Sequence, residues 1–213
     1  MIQIQNLVKI YRKQVVLNGI TIEFQDGMIT GLIGPNGCGK TTLLRCICGF
    51  AKPTEGSVTV MGKRIGKDCD FAPSTGVIIE SPGFYPHESA RKNLEILAGA
   101  SGKADQDRIS EVIRCVGLDP DSPKKVGQYS LGMKQRLGIA QAILENPKVL
   151  ILDEPFNGLD YQGIEDMHQL LQTRKKERNC ILLVSHSRQD IEKSSDVIYE
   201  MRDGRLFQAA ARI

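Results

Sequence analysis

No stretch of this 213-residue chain approaches the roughly 20 consecutive apolar residues needed to cross a bilayer. The N-terminus, Met1-Ile2-Gln3-Ile4-Gln5, also lacks the basic start and apolar core of a secretory signal. The expectation is a cytoplasmic chain that reaches a membrane only through a partner. Paired C-x-x-C clusters are missing as well. The six cysteines, Cys38, Cys46, Cys48, Cys69, Cys115 and Cys180, are scattered, which argues against a zinc site or disulfide framework and for small buried hydrophobes. Net charge is slight: 28 Lys and Arg against 25 Asp and Glu leave a formal +3, too little to argue for nucleic acid. There is no internal repeat, no low-complexity tract and no guanine-selecting N-K-x-D motif, so a GTP-dependent switch is disfavoured. With Ile213 following closely on an expected hairpin at Asp203-Gly204, no appended regulatory domain is expected either.

The composition itself is ordinary for a globular protein, 41% hydrophobic and 25% charged, and the length suffices for one large domain with a real interior. Short strand-like runs fill residues 1–80, among them Leu17 to Phe24, Ser57 to Val60 and Gly76 to Ile79, with turn signals at Asp26-Gly27 and Met61-Gly62. Helical patterns follow over Ser89 to Gly99 and Asp105 to Val116. From 146 onward strands and helices alternate: Val149 to Leu152 and Cys180 to Val184 read as buried parallel strands with a helix at about 163–178 between them. The fold class predicted is α/β, a single domain over 1–213. Residues 1–80 and 146–213 would form the core and about 81–145 an inserted helical lobe.

The most specific signal is Gly34-Pro35-Asn36-Gly37-Cys38-Gly39-Lys40-Thr41, which fits G-x-x-x-x-G-K-[ST] between a buried strand and a helix. Glycines let the backbone approach phosphates closely, Lys40 can reach the β- and γ-phosphates, and the Thr41 hydroxyl can ligate Mg²⁺. Together with Thr42 these residues are the predicted nucleotide site, for ATP with Mg²⁺. Cys38 lies inside the loop beside a helix N-terminus, and redox sensitivity is expected there.

Asp153-Glu154 ends the Val149 strand, where ligands of a parallel sheet gather. Asp153 would hold Mg²⁺ and Glu154 would act as the catalytic base. His186 follows the next buried strand and reads as a γ-phosphate contact. Ser130 reads as the N-cap of a helix running to about 145, whose first amides could bind an anion.

In this order the motifs resemble the nucleotide-binding subunit of an ATP-binding-cassette (ABC) transporter over essentially the whole chain. The resemblance implies a P-loop NTPase core with an N-terminal antiparallel β subdomain and an inserted helical subdomain. It assigns Gly34 to Thr41 to the Walker A loop, Val149 to Glu154 to the Walker B strand, Asn157 to Asp160 to the D-loop and His186 to the switch histidine. Tyr11, taken as lying ahead of the first strand pair, would stack on adenine. Tyr129 to Met133 stands at the signature usually read L-S-G-G-Q. In the family two cassettes dimerise head to tail, so Ser130 and Gly132 would contact a partner cassette's γ-phosphate. Leu131 and Met133 depart from the usual glycine and glutamine.

Glu80, in Gly76-Val77-Ile78-Ile79-Glu80-Ser81-Pro82, stands at a usual glutamine and would face Mg²⁺. With Ser-Pro-Gly-Phe-Tyr-Pro after it, this is similar to the branch serving bacitracin and lantibiotic immunity. The function implied is a MgATP-hydrolysing subunit, with Glu154, His186 and Lys40 as catalytic residues, coupled to a membrane permease on the inner face of the cell membrane. The other reading is a soluble, non-transport cassette ATPase of DNA repair or ribosomes, which tends to carry two cassettes or a long coiled coil; neither is present here.

Overall fold

A computed structural model describes residues 1–80 and 83–209, so Ser81 and Pro82 of the run after Glu80, and Ile213 with the residues just before it, lie outside the described residues. The chain opens with a hairpin of β1 (Ile2–Tyr11) and β2 (Gln14–Phe24). The turn is Arg12-Lys13, both at positive φ (44 and 75), with Tyr11 paired to Gln14. Tyr11 therefore closes the first strand of the pair; it does not precede the pair, a placement that follows from reading Ile2 to Tyr11 as a strand. After β3 (Met28–Ile33) and α1 (Lys40–Cys48), β4 (Glu55–Val60) and β5 (Lys63–Arg64) complete an antiparallel sheet of order β2-β1-β4-β5.

β6 (Thr75–Ile78) returns the chain to a second sheet. Then come α2 (Ala90–Ser101), α3 (Gln106–Cys115), a 3-10 turn at Val126–Gln128 and α4 (Leu131–Ile143), of which α2 packs on α3 and α3 on α4. The remainder alternates: β7 (Val149–Asp153), α5 (Tyr161–Lys176), β8 (Cys180–Val184), α6 (Arg188–Ser194), and a terminal hairpin of β9 (Val197–Arg202) and β10 (Arg205–Gln208) turning at Asp203-Gly204. The second sheet has order β10-β9-β3-β8-β7-β6 and is parallel except for β10. The fold is thus α/β with a separate antiparallel sheet, as expected.

Period-two alternation divides the core between the sheet's faces. Val149, Ile151, Leu182 and Val184 point toward α1 and the antiparallel sheet, among Leu43, Leu44, Ile47, Ile4 and Val60. Leu150, Leu152, Ile181 and Leu183 point the other way, among Leu94, Ile113, Leu137, Ile143, Leu171 and Ile191 from the helices. Each such side chain, once buried, contributes about 1.5–3 kcal/mol. Both faces of the central strands are covered, which is why they read as unbroken apolar runs.

Register then positions the site. Leu32 pairs with Val184, Val184 with Asp153, and Leu152 with Ile78. Four strands therefore end level, and the segments leaving them, 34–39, 79–80, 154–157 and 185–187, emerge along one rim of the sheet.

Candidate active site

Every long helix but one is capped at its start by a side chain: Ser89, Asp105, Ser130 and Asp160 each accept an amide of α2, α3, α4 and α5, and Ser187 does so for the short α6. α1 is the exception. Its cap is Gly39, at φ 112, with no side-chain bond to the first amides. Those donors stay open, and the partial positive charge of the helix end stays with them. At Gly39 a Cβ would come 2.8 Å from the Val16 carbonyl oxygen, and at Gly34 2.5 Å from that of Met201. The loop is thus pressed against β2 and β9 by residues that only glycine can supply, and its exposed side is built of backbone.

Lys40 is 8% exposed, and its ammonium donates to the Gly34 and Pro35 carbonyls at 2.7 and 2.9 Å. It lies over the loop that would receive a phosphate. Cys38 is half-buried, with Sγ 4.0 Å from Lys40 Nζ. Pro35, Asn36 and Gly37 form the exposed crest of the loop, and Thr41 and Thr42 are half-buried in the first turn of α1.

Thr41 Oγ1 donates to Asp153 Oδ2 at 3.1 Å, joining the loop to the end of β7. Burial pushes the Asp153 carboxyl above its usual value; the neighbouring charges of Glu154 and Glu80 push the same way, against the Thr41 bond and Lys40. A carboxylate so placed gains from a cation. A hydroxyl and a carboxylate are hard oxygen donors of the kind Mg²⁺ takes, with nucleotide phosphates completing the set, so these residues fit that ion.

Glu154 sits at φ 52, its N–H donating to the Val184 carbonyl at 2.8 Å. Oε1 accepts the His186 N–H at 2.8 Å, and Oε2 accepts the Ser185 hydroxyl at 3.0 Å and lies 2.8 Å from His186 Nδ1. A carboxylate offers about four acceptor directions, so with three in use one on Oε1 remains for a water. Gln135 of α4 donates to the Glu154 carbonyl at 3.2 Å, tying the same residue to the helices.

Loop, Asp153, Glu154 and His186 lie together along one rim of the sheet. The other site residues lie at the margins. Glu80, at φ 62, accepts from Arg45 Nη2 at 2.6 Å. Tyr11 is exposed, with the Lys9 ammonium 4.6 Å over its ring. Ser130 accepts the Met133 amide, and Gly132 packs on the backbone of Gly158, where a Cβ would stand 2.4 Å from the carbonyl oxygen. Ser185, Gln135 and Arg45 join these residues without being among the motifs' predicted ligands. Of these only Ser185 carried a signal, as a polar residue directly after a fully apolar strand.

A family model described as ABC transporter matches residues 17–157, a span that holds the loop, Asp153 and Glu154. The chain is 44% identical over 206 residues to the ABC transporter ATP-binding protein YybJ of Bacillus subtilis (strain 168), covering 97% of this chain and 94% of YybJ. It is 41% identical to the bacitracin transport ATP-binding protein BcrA of Bacillus licheniformis, covering 97% of this chain and 68% of BcrA. To the lantibiotic transport ATP-binding protein SrtF of Streptococcus pyogenes it is 37% identical, covering 97% and 89%. Among solved structures, the ATP-binding subunit of an ABC transporter superposes with TM-score 0.89 at 28% identity, over 99% of this chain and 90% of that one. A dimeric MJ0796 cassette bound to ADP and Pi has the same fold, with TM-score 0.88 at 22% identity over the full length of both chains.

Proposed function

This chain belongs to the ABC transporter family, and we propose that it is the MgATP-hydrolysing subunit that drives a separate membrane permease for export of, or immunity to, a peptide antibiotic or other amphipathic compound. The observation that carries the reading is the closed circuit at the sheet rim: an uncapped glycine-bounded helix start, Thr41 bonded to Asp153, and Glu154 held on the end of the next strand. The names of BcrA and SrtF support the cargo class.

In this reading the amides of 34–41 and the Lys40 ammonium bind the phosphates, with Thr42 beside them and Tyr11 under the base. Thr41 and Asp153 would hold Mg²⁺, which when bound draws charge from the phosphate oxygens. Glu154 accepts a proton from water as the water oxygen bonds to the γ-phosphorus. The bond from that phosphorus to the bridging oxygen breaks, and ADP leaves with the electron pair. Ser185 and the His186 N–H hold the carboxylate in place for that step, and the His186 ring, with Nδ1 2.8 Å from that carboxylate, would contact the γ-phosphate.

Ser130 and Gly132 head a helix whose start would meet the γ-phosphate held by a second cassette, in a head-to-tail dimer. The segment of about 81–145 would carry the nucleotide state to the permease. Among the described residues no helix is long and apolar enough to cross a membrane, and the permease is what places the chain on the inner membrane face.

The test is direct. The purified chain should bind ATP and release phosphate only with Mg²⁺, and Lys40→Met should weaken binding roughly ten- to hundredfold, from loss of charge-assisted bonds of about 1.5–3 kcal/mol. Cells lacking the chain should become more sensitive to a bacitracin- or lantibiotic-type peptide. Unchanged binding in Lys40→Met removes the site assignment; unchanged sensitivity to such peptides removes the cargo class.

A further inference from the structure

Arg45 stands one helical turn beyond Thr41 on α1, and both side chains leave the same face of that helix. Thr41 reaches Asp153 at the end of β7, and Arg45 reaches Glu80 just past β6. The Arg45–Glu80 contact, 2.6 Å between Nη2 and Oε1, is short and charge-assisted, yet its side chains are 41% and 62% exposed. Water competes for such a pair, so it opens at little cost. Glu80 holds a left-handed backbone, φ 62, that residues with a side chain seldom adopt.

Ile78 pairs with Leu152, so Glu80 and Asp153 leave the ends of neighbouring parallel strands close to that pair. Even so, among the described residues no group of three or more His, Cys, Asp or Glu is gathered closely enough to hold an ion. Asp153, Glu154 and Glu80 thus do not form such a cluster, and the partner that Glu80 has is Arg45.

We infer that Arg45 is a positioning residue for Glu80: the guanidinium neutralises this additional carboxylate and holds it aside from the Thr41–Asp153 site, and opening the pair releases a negative charge toward the cation bound there. The inference rests on the assignment of Thr41 and Asp153 as metal ligands. With the pair closed, a divalent ion meets the charges of Asp153 and Glu154. With it open, the ion also meets Glu80, and its affinity rises.

Mn²⁺ is the probe, its free concentration read by electron paramagnetic resonance with the chain and a non-hydrolysable ATP analogue, so that no turnover enters the measurement. Arg45→Met should tighten Mn²⁺ binding about three- to fivefold, the range an exposed ion pair can supply. Arg45→Lys, which keeps the charge, should stay within about twofold of the parent. In a Glu80→Gln background, Arg45→Met should produce no shift. An equal effect in both backgrounds, or no shift with Glu80 present, overturns the inference. Asp153→Asn separates the two layers. If Mn²⁺ binding survives it unchanged, the ligand assignment fails. If binding weakens while the Arg45 variants match the parent, only the role of Arg45 fails. Should the melting curve show that Arg45→Met does not fold, Arg45→Gln replaces it in the same comparison.

Discussion

Glu154→Gln separates chemistry from binding, because the carboxylate's environment is fully specified. Its oxygens accept the His186 N–H at 2.8 Å and the Ser185 hydroxyl at 3.0 Å, and that hydroxyl also accepts the Ser187 N–H at 3.1 Å. A glutamine keeps one oxygen for the His186 amide and turns its NH₂ toward Ser185, whose rotatable hydroxyl can accept it. The contacts with the His186 N–H, the Ser185 hydroxyl and His186 Nδ1 all become neutral ones, the new NH₂ being able to donate to the last two, at a cost of about 1 kcal/mol or more. For a domain of this size that lowers the melting temperature by roughly 2–4 °C. The catalytic loss is larger, since an amide cannot take the water's proton: general-base contributions run to about 10²–10⁴-fold. Nucleotide binding should be nearly unaffected, because no phosphate-binding group is altered. The assay pairs phosphate release with ATP affinity by fluorescence and with a thermal melt. Phosphate release within about tenfold of the parent would refute Glu154 as the base. ATP affinity falling in step with turnover would show that the residue acts through loop architecture instead.

Gly132→Ala should destabilise the chain by about 1–3 kcal/mol through its close approach to the Gly158 carbonyl, less up to about 1 kcal/mol of gained helix propensity. Gly99→Ala, in α2 with nothing beyond its own helix backbone and chain neighbours within 4 Å of the added Cβ, should leave the melting temperature level or raise it; equal losses at both sites would contradict the packing account. His168, 7% exposed and with Nδ1 2.6 Å from Ser194 Oγ, has its pKa lowered below the ordinary 6.5, first by burial and then by Lys193, against Glu165 and Asp190. The folded state disfavours the proton that the unfolded chain takes up, so this contribution to stability is complete above pH 6.5 and is lost as pH falls through the folded pKa. Melting temperature against pH should decline on acidification, and His168→Gln should flatten that decline; a slope unchanged by the substitution would show that other groups set it.

The elements read most sharply from the sequence were those covered on both faces. β8 runs over Cys180–Val184 as anticipated, and β7 extends the anticipated Val149 to Leu152 run by Asp153 alone. β1 escaped notice because its pattern breaks. Ile2 and Ile4 alternate, but a register shift between Ile4 and Leu7, with Asn6 at φ 44, moves the next buried residue onto an odd step. The turn that follows is built from Arg12 and Lys13 at positive φ, and so lacks the glycine or asparagine by which such turns are recognised. α6 has seven residues and one buried hydrophobe, Ile191, too little for a periodic signal. The partners of the site were illegible for another reason. Arg45 and Glu80 are 35 residues apart, and Gln135 and Glu154 are 19 apart. Only the level ending of the strands and the placement of α1 and α4 bring them together.

The same placement gives the departure at Leu131 a physical account. Leu131 packs over Gly158: a Cβ at 158 would meet Leu131 Cγ at 2.7 Å, while a Cβ at 132 would meet the Gly158 carbonyl at 2.4 Å. A large residue at 131 and none at 158 are two halves of one contact, with the close approach of Gly132 beneath it. Arg136, one turn further along α4, bonds the Val116 carbonyl at 2.8 Å and reaches Asp160 and Asp166 at 3.2 and 3.3 Å; Asp160 also caps α5. The start of α4 and the 157–160 segment are therefore held together by apolar contact at one end and by a largely buried guanidinium at the other. Gln135, on the same helix, also binds the Glu154 carbonyl at 3.2 Å, so the expectation is that a displacement of either segment reaches the proposed base as well.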